Sequence, residues 1–87
     1  MTDTAHDDPE TIAIMALGWI LADERRADRL LSLTGLTPDQ LRAGAGNPQI
    51  LAEVLRFLES HEPDLIAAAE HLNIAPERLI SVRRSLS

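Results

Sequence analysis

Apolar residues recur along the chain with helical spacing, and proline marks where several helices open. Asp8-Pro9, Thr37-Pro38 and Asn47-Pro48 each set a capping residue before a proline. The capping oxygen accepts from free backbone amides, and proline at the first helical position forfeits no bond. A first helix is predicted over Pro9–Ala22, where the run Ile12 to Ala22 is apolar throughout. Such a helix is expected to be buried on most sides. A second, Glu24–Thr34, opens behind Asp23, carries Ala27, Leu30, Leu31 and Thr34 on one side, and stops at Gly35. Thr37-Pro38-Asp39-Gln40 reads as a capping box for a short third helix, Pro38–Ala43, which Gly44-Ala45-Gly46 cannot extend. The fourth, Pro48–Ser60, has a stripe of Ile50, Leu51, Val54, Leu55 and Leu58 with Phe57 beside it. The fifth, Pro63–Leu72, carries Leu65, Ile66, Ala69 and Leu72 and stops at Asn73. The sixth starts at Pro76 with Leu79, Val82 and Leu86 on one face. No segment alternates with period two, so no strand is predicted. The expected fold is all-α, a compact bundle of about six short helices.

Displacing the chain by 38 residues aligns its halves. Leu17 then meets Leu55, Trp19 meets Phe57, Ile20 meets Leu58, Gly35-Leu36 meets Asn73-Ile74, and Pro38, Asp39 and Leu41 meet Pro76, Glu77 and Leu79. These positions are caps, stops and core, the ones that define a helical unit. Two pseudo-symmetric three-helix units, residues 8–46 and 47–87, are expected to close one core face to face, since two repeats are too few for a solenoid. Residues 1–7 are expected to form a disordered acidic tail ahead of a single helical domain, 8–87.

Composition narrows the function. The chain has 87 residues, no cysteine, a formal charge of −6, and only Trp19 and Phe57 as aromatics. Disulfides and thiolate chemistry are excluded, and a large phosphate-binding surface is disfavoured. The apolar run of 11 residues falls short of the ~20 that a membrane span needs. Asp3, Asp7 and Asp8 put the wrong charge where a signal peptide is basic. A cytoplasmic protein without a membrane partner is expected.

Candidate chemistry is sparse. His6, His61 and His71 include no pair at helical spacing for a metal, and the paired carboxylates coincide with helix ends, where capping explains them. Gly44-Ala45-Gly46-Asn47 precedes a helix without a strand before it or a Lys after it, so it reads as a connector rather than an anion cradle. No catalytic, cofactor-binding or metal-binding residue is assigned, and the chain is expected not to be an enzyme and to take no cofactor. The segment 69–84 has the outline of a helix-turn-helix, with Asn73 at the turn and Arg78, Arg83 and Arg84 on its second helix. Against nucleic acid stand Glu59, Glu62, Asp64, Glu70 and Glu77. Trp19 and Phe57 are the candidate partner-binding residues. The preferred expectation is a small protein-interaction module that binds an unidentified protein or itself. DNA binding through residues 69–84 is the alternative, and small-ligand binding in a cleft between the units is the third.

The stretch from Ala16 to Arg42 contains Leu33-Thr34-Gly35-Leu36, and Val54-Leu55-Arg56-Phe57-Leu58 follows downstream. In these features the chain resembles an uncharacterised family of short bacterial helical proteins that share a Leu-Thr-Gly-Leu turn. The resemblance spans about Thr11 to Leu79. It implies a compact helical domain and transfers no functional residue.

Overall fold

The computed structural model describes residues 8–87; the expected tail, 1–7, lies outside the described residues. Six α-helices follow one another: α1 (Pro9–Leu21), α2 (Glu24–Thr34), α3 (Pro38–Ala43), α4 (Pro48–Glu59), α5 (Glu62–Leu72) and α6 (Pro76–Leu86), with a 3₁₀ turn, Gly44–Gly46, between α3 and α4. No strand occurs among the described residues. The fold is an all-α bundle. Observed boundaries lie within one residue of those expected.

Local chemistry accounts for the helix ends. The Asp23 carboxylate accepts from the amides of Arg25 and Arg26 at 2.8 and 3.2 Å. The α3 capping box is complete: the Gln40 amide donates to Thr37 Oγ1 at 3.1 Å, and the Thr37 amide donates to Gln40 Oε1 at 2.8 Å. Asn47 caps α4 through the Gln49 amide at 2.9 Å. Asp8 departs from expectation. It has the extended backbone of a cap, but its side chain accepts from the Thr11 hydroxyl at 2.9 Å and from no amide.

Both predicted stops adopt the left-handed conformation, Gly35 at φ 74° and Asn73 at φ 61°. They differ in hydrogen bonding. Gly35 makes a single bond, its amide to the Leu31 carbonyl. At Asn73 the amides of Ile74 and Asn73 donate to the carbonyls of Ala69 and Glu70, the paired bonds of a Schellman stop.

α1, α4 and α6 pack against one another at the centre, with α5 laid across all three. α2 packs on α1 and α4, whereas α3 makes its main packing with the 3₁₀ turn. The core is aliphatic apart from Phe57, and Ile12, Ile20, Leu30, Leu51, Val54 and Leu58 are wholly buried in it. The two halves therefore part company at their third helices. α6 runs eleven residues and inserts Leu79 and Val82 beneath α1 and α4. α3 ends after six, where Gly44 and Gly46 stand in the places of Val82 and Arg84.

Candidate interaction surface

α1 is apolar on nearly every face, so burial of one face leaves another exposed. Ile12, Ala13, Ala16, Leu17 and Ile20 point inward. The opposite side presents Ile14 and Leu21, 41% and 46% exposed, with Gly18 and Ala22 exposed between and beyond them. Past Glu10 in its first turn, the helix carries no charged side chain.

At its C-terminal end this face runs into a cleft. Because α3 stands off from α2, Leu21, Ala27, Leu31, Pro38, Leu41 and Arg42 surround an open volume of about 300 Å³. Arg42 supplies its only charged lining side chain, held at 2.7 Å to Asp39 on the outer surface of α3. At the positions 38 residues on, α6 packs directly on α5. The sequence pattern missed this cleft because it depends on how sparsely α3 packs on the other helices, which no helical periodicity encodes.

Trp19 is half-buried at the edge of the core. The Arg26 guanidinium lies over its ring, 3.7 Å from the centroid, and Nη2 donates to the Trp19 carbonyl at 2.6 Å. Arg26 thus covers the indole and ties α2 to the end of α1. Phe57, expected beside Trp19 as a partner contact, is only 4% exposed. A ring so enclosed offers too little surface to anchor a partner, and Phe57 is core.

The α6 arginines do not form one free basic face. Arg83 grips Glu59 of α4 through Nε and Nη2, at 2.8 and 3.2 Å. That bond to Glu59 raises the Arg83 pKa above its ordinary value. Arg78 is half-buried and engaged, and Arg84 is exposed. The three candidate nucleic-acid contacts are thus divided among an internal ion pair, a half-buried position and open solvent.

On the other side of the bundle, α2 and α5 are joined by Arg29 to Asp64 at 2.6 Å. Around this pair Asp23, Arg25, Arg26 and Asp28 line an open depression of mixed charge. The amides of Arg26 and Arg25 that cap Asp23 lower its carboxyl pKa below the ordinary value. The free α2 amides already have an anionic partner, so no anion site is left there. His61 and His71 are both exposed. No cluster of three metal-ligating side chains occurs among the described residues, and none of their helices is long and apolar enough to cross a membrane.

A model for a family of proteins of unknown function, DUF3572, matches residues 6–87. The chain belongs to the DUF3572 family. No curated protein and no solved structure matches it. Within this DUF3572 chain, the functional reading therefore rests on the surface itself: an aliphatic helix face and cleft on one side, and charges tied in pairs over much of the remainder.

Proposed function

We propose that this chain is a small, non-enzymatic, cytoplasmic protein-interaction module whose contact surface is the outward face of α1 together with the adjoining cleft. One observation carries the reading: Leu21 belongs at once to the exposed side of α1 and to the lining of the α1–α2–α3 cleft. A contiguous apolar surface on a chain of net charge −6 is a place where burial by a partner is favourable. Trp19 borders this surface with Arg26 across its ring, which suits it to the rim. We read the architecture as a duplicated three-helix unit, supported by α1 packing on α2 and α5 as α4 packs on α5 and α2. In this reading the truncated third helix of the first unit leaves the cleft open for use.

Nucleic-acid binding draws no support from α6, whose Arg83 is held by Glu59. Small-ligand binding draws less support as well: the α1–α2–α3 cleft has a single polar lining side chain to orient a ligand, and the depression between the two units, at α2 and α5, is open with Arg29 and Asp64 already paired. The test is capture of proteins from the native host on immobilised chain, comparing wild type with Leu21→Arg at matched thermal stability. A stoichiometric protein retained by wild type and lost with Leu21→Arg is the expected result. Equal retention by both would remove α1 from the contact, and retention abolished by nuclease would replace the reading with nucleic acid.

A further inference from the structure

α3 is held to the bundle differently from the other five helices. Arg26 donates to the Trp19 carbonyl and so ties α2 to α1, Arg29 with Asp64 ties α2 to α5, and Arg83 with Glu59 ties α6 to α4. Among the described residues, every polar side-chain contact of α3 stays within residues 37–42: Thr37 with Gln40, and Asp39 with Arg42. The capping box therefore travels with the helix. A shift of α3 against α2 breaks no hydrogen bond and no ion pair between them.

What fixes α3 lies at its two ends. Before it, Leu36 packs half-buried against the core. After it, the 3₁₀ turn packs on α4, and Gly44 is buried so close to Ile50 that a methyl group there would sit 2.8 Å from the Ile50 Cβ. Between these points Leu41 is the one buried side chain of α3. The six-residue span faces α2 across the cleft of about 300 Å³. Leu21, Ala27 and Leu31 form one wall and Pro38 and Leu41 the other, so bringing the walls together takes apolar surface out of water. Arg42 is exposed, and its long stem lets the guanidinium stay in solvent as the walls approach.

We infer that α3 is a rigid flap, held at Leu36 and Gly44, which swings from the open position to one closed on Ala27 and Leu31, and that the cleft receives a partner only while the flap is open. The gating rests on the interaction-module reading; the swing does not.

Cross-linking within the full chain tests both parts, on a background that has no native cysteine. A disulfide needs its two Cβ atoms within about 4.5 Å of each other. Under mild oxidation the double variant Ala27→Cys/Arg42→Cys should form an intramolecular disulfide almost completely, with helicity by circular dichroism unchanged. Ala43 is exposed and outside the cleft lining, so Ala27→Cys/Ala43→Cys should stay reduced. An Ala27→Cys/Arg42→Cys protein that stays reduced overturns the flap. Equal oxidation of the Ala43 pair overturns it too, since α3 would then be unravelling rather than swinging. Capture of host protein reads the gate: the oxidised Ala27→Cys/Arg42→Cys form should lose the protein that wild type retains and regain it on reduction. Equal capture by the oxidised form overturns the gating. A disulfide that forms while wild type captures nothing removes the interaction module, and the gating with it, and leaves the swing standing.

Discussion

At Gly44 the backbone is ordinary right-handed helix, φ −78° and ψ −7°, so no conformational rule calls for glycine there. The reason is contact: a methyl group would sit 2.8 Å from the Ile50 Cβ. Gly44→Ala should therefore destabilise the fold by about 1–3 kcal/mol, as overpacking does, despite alanine's better helix propensity. Urea titration of the two proteins decides this, and an unchanged or higher midpoint would show that Ile50 yields. Read along the chain, Gly44 is visible as the end of α3 but not as a point of close approach, because Ile50 reaches it only after the chain has turned into α4. The Arg26–Trp19 stack was hidden for the same reason, since it joins residues on two helices across a turn. Asp23 is the opposite case, a cap legible from its place before Glu24. Its folded pKa lies below the ordinary value of 3.8, so its charge contributes stability above that pH and loses it as pH falls through the folded pKa. Asp23→Asn keeps the capping oxygen and removes the charge. The urea midpoint of wild type should exceed that of Asp23→Asn at neutral pH, and the gap should close as pH falls below 3.8 and through the lowered folded pKa. A gap that persists in acid would assign the difference to something other than ionisation.

The ends of the helices were the most legible feature, because caps and left-handed stops depend on residues adjacent in sequence. Asp23, the Thr37–Gln40 box, Asn47, Gly35 and Asn73 all sit where local chemistry places them. Asp8 fails to cap because the Thr11 hydroxyl, one turn on, competes for its carboxylate. α3 depends most on its cap, having six residues and little packing on the other helices. Isolated helices of that length do not persist in water. Thr37→Ala should cost about 0.5–2 kcal/mol and act locally, loosening α3 before the rest of the bundle. Amide hydrogen exchange is the suitable readout: protection should fall at Leu41 and its neighbours while α1, α4 and α6 keep theirs. A uniform loss across all helices would mean that α3 is coupled to the core more tightly than its packing indicates.

At the scale of the molecule, what the chain pattern could not reveal is the unequal fate of two helices that align under the 38-residue shift. Leu41 and Leu79 align under the 38-residue shift, each follows a proline-capped start, and both are buried, at 4% and 1% exposure. Their surroundings differ. Leu79 lies on α6, which is wedged among α1, α4 and α5, so a cavity there is walled on every side by helices that cannot move independently. Leu41 lies on α3 and borders the open cleft, with few helix contacts to hold it in place. Truncation of a buried leucine costs about 2–5 kcal/mol, the spread reflecting how far the site can relax. Leu79→Ala should fall near the upper end and Leu41→Ala near or below the lower, since α3 can settle into the cleft and fill the void. For a chain of 87 residues, with total stability of roughly 4–13 kcal/mol at ~0.05–0.15 kcal/mol per residue, the first loss threatens folding and the second does not. Thermal and urea unfolding of both variants measures the difference. Equal losses would mean that α3 is as deeply keyed into the core as α6, and the openness of the cleft, with the interaction surface built on it, would have to be given up.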